Sequence, residues 1–153
     1  MEQPVEPTQP AGTTEQTGMT EQTGRNGRPQ TFFELVGGRP AFAALVEAFY
    51  QGVATDPVLR PMYPDDDLEP AKERLLLFLE QYWGGPTTYS EQRGHPRLRM
   101  RHAPFRVDAD ARDRWLTHMR AAVAGLHLPP ILQSQLWDYL ERAAWSMVNT
   151  LEG

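Results

Sequence analysis

Residues 93–105 read Arg-Gly-His-Pro-Arg-Leu-Arg-Met-Arg-His-Ala-Pro-Phe. Arg97, Arg99 and Arg101 alternate with apolar residues, and the run closes on His102 ahead of Ala103-Pro104. On a short helix Leu98, His102 and Phe105 share one side, so the imidazole projects into apolar surroundings while the arginines point to the rim. Two readings stay open for such a histidine. It is a hydrogen-bonded core residue, or it is the ligand of an iron porphyrin, whose ring is apolar and whose propionates seek cations.

Outward from this run the chain alternates helical stripes with proline and glycine stops. Thr31 and Glu34 have capping-box spacing and open a short apolar stretch that Gly37-Gly38 ends. Pro40 suits a first helical turn, and Phe42, Leu45, Val46, Phe49, Tyr50 and Val53 recur at helical steps to about Ala54. Val58 to Met62 reads as one more helical turn. Asp65, Asp66 and Asp67 then precede a helix, where acids serve as caps rather than as a cation site.

Pro70 opens a helix with Ala71, Leu75, Leu79 and Tyr82 on one stripe, stopped by Gly84-Gly85-Pro86. A polar loop is expected next. A short helix then starts at His95-Pro96 and stops at Ala103-Pro104. Asp108 caps a long helix with Trp115, Met119, Ala122, Val123 and Leu126 on one face. Pro129-Pro130 restarts the chain, and Leu132, Leu136, Tyr139, Leu140, Ala143, Met147 and Val148 define the last helix. With no competing strand signal, the expected fold is all-α, one domain over 31–153.

Residues 1–30 differ. They are rich in Gln, Thr, Glu, Gly and Pro and repeat Thr-Glu-Gln-Thr-Gly at 14–18 and 20–24. So little apolar surface cannot offset chain entropy, and a disordered tail is expected, with Met19 an alternative start.

Composition removes whole classes of function. No cysteine means no disulfide, thiolate metal site, iron–sulfur cluster or cysteine nucleophile. A net charge of −5 argues against nucleic-acid binding. No run is long enough for a membrane span and no secretory signal is evident, so the expected location is cytoplasmic. Of the four histidines, His127 sits at a helix end, His118 flanks a buried stripe, and His95 with His102 lacks a third metal ligand at any familiar spacing.

The order of motifs resembles the truncated haemoglobins of the second group, over roughly residues 31–150. It is carried by Val36-Gly37-Gly38, Ala48-Phe49-Tyr50, Met62-Tyr63-Pro64-Asp65-Asp66, Phe78 through Pro86, and the run from Thr88-Tyr89-Ser90 through Arg93-Gly94-His95-Pro96 to Met100-Arg101-His102-Ala103-Pro104-Phe105. The resemblance implies a two-over-two helical sandwich around haem b. In it His102 matches the proximal ligand and the glycine pairs match flexible joints. Tyr50, Tyr63 and Trp115 fall on the distal side, although each reads equally well as a core aromatic. Ala71, Leu75, Phe78, Leu79 and Met119 fall in the haem pocket, while Arg74, Arg101 and Tyr89 reach the propionates.

The resemblance carries an expected activity as well. Phenol and indole donors facing bound dioxygen, whose outer oxygen is partly negative, favour slow release. Carbon monoxide, nitric oxide and, on ferric iron, anions would bind there too. Nitric oxide dioxygenation needs a reductase the chain lacks. Peroxidase chemistry ranks lower, because neutral tyrosine and tryptophan are poor proton shuttles. Whether it is an enzyme, and whether it forms a homo-oligomer, the sequence leaves open. A haem-free helical module holding an acidic partner through its arginines is the remaining alternative.

Overall fold

A computed structural model describes residues 29–150. The expected tail therefore lies, apart from Pro29 and Gln30, outside the described residues.

Helix α1 (Phe32–Leu35) is opened by the expected capping box. Thr31 Oγ1 accepts from Glu34 N, and Glu34 Oε1 accepts from Thr31 N, both at 3.2 Å. The chain then passes Gly37 and Gly38 with φ of +116° and +70°, a left-handed route that side chains other than glycine resist. Helix α2 (Arg39–Ala54) follows, with Phe42, Leu45, Val46, Phe49, Tyr50 and Val53 buried along one face.

Asp56 organises the exit from α2. Its Oδ1 accepts from Val58 N (2.8 Å) and Leu59 N (3.0 Å), which shapes the approach to a 3₁₀ turn, Arg60–Met62. Helix α3 (Glu69–Tyr82) begins where Asp67 Oδ1 accepts from Glu69 N at 3.0 Å, so that aspartate is a cap. Helices α4 (Thr88–Arg93), α5 (Leu98–His102), α6 (Ala109–Ala124) and α7 (Pro130–Met147) complete the chain, and Asp108 caps α6 by accepting from Ala111 N at 2.9 Å.

Two elements depart from expectation. The stretch read as a polar loop holds α4. Its support is tertiary: Tyr89 is buried against Phe78, with ring centroids 5.7 Å apart, and the Gln81 amide brackets Ser90 through bonds of 2.7 and 2.9 Å. Helix α5 starts later than His95-Pro96, because Arg97 adopts a left-handed conformation at φ 43°, ψ 56°.

Helix α2 packs against α3 and α6, and α6 packs against α7, so two helix pairs lie one on the other. This matches the expected two-over-two helical sandwich, all-α with no strand among the described residues. The short helices α4 and α5 contact α3 and α7 respectively and close the side of the stack. The second glycine pair is packed tightly. A Cβ at Gly84 would lie 2.8 Å from that of Thr31, and one at Gly85 would lie 2.9 Å from the Glu80 carbonyl. These glycines thus let α1 and the end of α3 touch; the expected flexible joint is here a close approach. No described helix is long and apolar enough to cross a membrane.

Candidate functional site

Between the two pairs and the short helices lies a cavity of about 390 Å³. Its wall gathers residues far apart in sequence: Tyr50 from α2, Tyr63 from the loop, Ala71, Arg74, Leu75, Phe78 and Leu79 from α3, Tyr89 from α4, Arg101 and His102 from α5, and Trp115 from α6. All the expected pocket residues line it but one. Met119 is fully buried in the core one turn beyond Trp115 and does not reach the cavity.

His102 ends the five-residue α5, and none of that helix is buried. Its Nδ1 pairs with the Leu98 carbonyl at 2.8 Å, which requires the proton to be on Nδ1. With Nδ1 as the donor, Nε2 is the nitrogen available to a ligand, with no hydrogen-bond partner among the described residues. That is how an imidazole is prepared to ligate a metal, its ring fixed by a bond at the other nitrogen.

Aromatic packing builds the other group. Phe49, fully buried, meets Trp115 edge-on at 5.3 Å and Tyr50 at 4.9 Å, and Tyr50 meets Tyr63 at 5.6 Å. Burial raises the pKa of both phenols above the ordinary tyrosine value, with their mutual proximity adding to the effect on Tyr50. Both therefore remain protonated donors at neutral pH. Arg60 fixes the loop that carries Tyr63, donating to the carbonyls of Tyr63 (2.8 Å), Asp65 (3.0 Å) and Asp66 (2.9 Å). The Trp115 indole N–H has no protein acceptor among the described residues.

Charge is arranged asymmetrically. The cavity wall carries Arg74, Arg93, Arg101 and Arg112 and no carboxylate, and His102 is its only histidine. Arg101 is largely occupied. Its Nε donates to the Pro96 carbonyl (2.5 Å), its Nη2 donates to those of Arg93 (2.9 Å) and His95 (3.1 Å), and its guanidinium lies 5.7 Å from the Tyr89 ring centroid. Its first task is thus to brace the loop ahead of His102. Arg74 and Arg93 are the exposed guanidiniums on the wall.

The remaining histidines stand apart. His127 is exposed at a helix end, and His95 is exposed as well. No cluster of three metal-ligating side chains occurs among the described residues. His118 does more than flank a stripe: its Nε2 lies 2.7 Å from Oδ2 of buried Asp56, whose Oδ1 also meets Arg114 at 3.2 Å. Burial alone would raise the Asp56 pKa. The bonds from His118, Leu59 and Val58 and the charge of Arg114 outweigh it, and the value falls from 3.8 to about 2. Gly52 makes room for this contact, since a Cβ there would sit 2.3 Å from His118 Nδ1.

Sequence reasoning missed much of the wall that α7 supplies. Tyr139, Leu140, Ala143 and Met147 were legible as a core stripe, and in the structure that stripe faces the cavity together with Ala144. The small Ala143-Ala144 pair was the available signal.

An apolar cavity with a single imidazole nitrogen free, cations on its wall and aromatic donors beside it suits a flat anionic porphyrin. Enclosed by two crossed helix pairs, it defines the class: a truncated globin. Comparison with known proteins agrees. A family model described as bacterial-like globin matches residues 31–149. A group 2 truncated haemoglobin of Bacillus subtilis is 40% identical over 115 residues, 75% of this chain and 86% of that protein. Among solved structures, a thermostable haemoglobin of the actinobacterium Thermobifida fusca is 67% identical, with a TM-score of 0.79 over 80% of this chain and 100% of the other. One from Chloroflexus aurantiacus is 50% identical, with a TM-score of 0.76 over 78% and 98%. The chain belongs to the bacterial-like globin family, as a group 2 truncated haemoglobin. Its family is one of haem proteins that bind oxygen and other small gaseous ligands.

Proposed function

We propose that the protein holds haem b through His102 and retains dioxygen, or another small ligand, by hydrogen bonds from Tyr50, Tyr63 and Trp115. Haem would supply the iron that binds a small ligand; all else falls to the chain. His102 would hold the iron through Nε2, because Nδ1 is committed to the Leu98 carbonyl. Arg74 and Arg93, both exposed on the cavity wall, would pair with the propionates, and Ala71 keeps one stretch of that wall small.

One observation carries this reading: three aromatic donors converge on a cavity whose wall has no carboxylate and no histidine but His102. A partly negative ligand oxygen finds donors there and no competing anion. Each hydrogen bond to such an acceptor is worth about 1.5–3 kcal/mol, which slows escape roughly ten- to hundred-fold. A solved relative from Bacillus subtilis, 38% identical, is described as oxygen-avid, in keeping with retention.

The same wall orders the redox readings. Peroxide activation benefits from an acid–base residue beside the ligand, and none is present. Oxidation of nitric oxide by bound dioxygen needs only the donors, space and an outside reductase, so it is the second reading.

The test is oxygen release from the ferrous protein by stopped flow. Trp115→Phe is expected to release oxygen roughly tenfold or more faster than the parent, as loss of one such bond predicts. His118→Ala is the control, because that imidazole pairs with Asp56 and does not line the cavity. Equal rates for Trp115→Phe and the parent would remove Trp115 as a donor. Mixing the oxygenated protein with excess nitric oxide and oxygen in the presence of an electron donor that re-reduces the iron then separates a carrier from a dioxygenase by whether nitrate exceeds one equivalent per haem.

A further inference from the structure

The stretch that carries His102 has little fabric of its own. Past α5, the backbone of the segment reaching Val107 holds the turn bonds Ala103 N to Met100 O (3.2 Å) and Phe105 N to His102 O (2.9 Å). What fastens it comes from the far end of the chain. Asn149, just beyond α7, accepts from Val107 N at Oδ1 (2.9 Å) and donates from Nδ2 to the carbonyls of Phe105 (3.0 Å) and His102 (3.3 Å). Its backbone N–H donates to Val107 O at 2.8 Å, and Thr150 N reaches the same oxygen at 3.1 Å. Arg99 of α5 adds bonds to the carbonyls of Ser146 and Val148.

The chemistry of position 149 is specific to a short carboxamide. An asparagine offers two N–H donors and an oxygen with two lone pairs. Here both kinds are used, since the oxygen accepts from Val107 N and from Thr150 Oγ1 (3.0 Å) while the nitrogen serves two carbonyls. Aspartate, of the same shape, would lose both donors and set a carboxylate against two carbonyl oxygens. Alanine would lose all the side-chain bonds.

We propose that Asn149 is a positioning residue for His102, fixing the carbonyl of His102 itself and the turn behind it to the end of α7, and so setting how the imidazole is presented. The proposal rests on the reading of His102 as the iron ligand. It makes the last helix part of the ligand's support. Helix α7 also lines the cavity through Tyr139, Ala143 and Met147, so whatever shifts its C-terminal end shifts the imidazole too.

The test uses the full-length, haem-loaded ferrous protein without added ligand. Two quantities are measured: the iron–histidine stretching band by resonance Raman, and the rate of haem transfer to a scavenging apoglobin. Asn149→Asp and Asn149→Ala are expected to displace or broaden the band and to speed haem transfer roughly tenfold, the scale of one or two lost hydrogen bonds. Ser146→Ala, which removes only a bond to Ala143 O within α7, is expected to change neither. A band in Asn149→Asp that matches the parent in position and width overturns the proposal, even if the variant melts earlier, because the amide would then be merely structural. His102→Gly keeps the two readings apart. Loss of the band in that variant leaves His102 as the ligand and isolates any failure to Asn149, whereas a band that survives overturns both.

Discussion

The two groups of residues around the cavity are built by opposite means. The donors Tyr50 and Trp115 stand on sixteen-residue helices and are held by ring-on-ring packing through Phe49, which has no exposed surface. His102 stands at the end of a five-residue helix with no buried residue, held by hydrogen bonds to backbone carbonyls from Arg99, Arg101 and Asn149. Apolar packing is non-directional and strong in sum, so it fixes a wall before any cofactor arrives. Polar strapping is directional and weak in sum, so it orients one ring without making that side rigid. The cavity thus joins a wall fixed by packing to a side held by directional bonds.

The sharpest way to break this contrast is to truncate one aromatic on each side and compare haem-free stabilities by urea denaturation. Phe49→Ala removes a fully buried ring from the junction of α2 and α6 and is expected to cost about 3–5 kcal/mol. Phe105→Ala, at a side chain 37% exposed beside His102, is expected to cost less than about 1 kcal/mol. Comparable losses at the two positions would mean that the His102 side is packed as firmly as the other.

That difference also explains what the sequence let one read. Long stripes such as Phe42 through Val53 repeat at helical steps, so α2, α3, α6 and α7 and most of the aromatic wall were legible. His102 was legible from its own run only as one of two readings, and the ligand reading came from the resemblance carried by the motif order around it. The strapping was invisible, because carbonyl-seeking side chains such as Arg99 and Asn149 carry no periodicity and their partners lie as many as 49 residues away. The same holds for α4, whose six residues are stabilised by Gln81 and Phe78 from another helix. It holds for Asp56 and His118, 62 positions apart, whose pairing no local pattern in the chain announces.

Asp56 offers a second, intermediate effect, because it is a polar brace on the aromatic side, as Arg60 is for the loop of Tyr63. Its pKa falls from 3.8 unfolded to about 2 folded. A depressed carboxylate pKa contributes stability above the unfolded value and loses it as pH falls through the folded one. A depression of this size corresponds to about 2 kcal/mol at neutral pH. Asp56→Asn is therefore expected to lower stability by about that amount at pH 7. Its denaturation midpoint should converge on that of the parent between pH 4 and about pH 2. A pH-independent gap would show that the pairing with His118 and Arg114 is not what the variant removes.

The smallest expected effect lies at Arg97, and it sharpens the contrast from the His102 side. Its φ of 43° and ψ of 56° place a residue with a long side chain in the left-handed region, at a cost of about 1–2 kcal/mol. Its guanidinium has no hydrogen bond or ion pair among the described residues. What the fold uses at this position is therefore the backbone: the Arg97 carbonyl accepts from Arg101 N at 3.0 Å and starts the turn that ends in His102. Asparagine tolerates this conformation and keeps the unfolded chain less free than glycine does. Arg97→Asn is accordingly expected to stabilise by about 0.5 kcal/mol, and Arg97→Gly to lie between the parent and Asn, because relief of strain is offset by unfolded-state entropy. A loss of stability in Arg97→Asn, measured by thermal melting, would mean that the side chain itself holds α5. The anchor would then depend on side-chain contacts in the way the aromatic wall does.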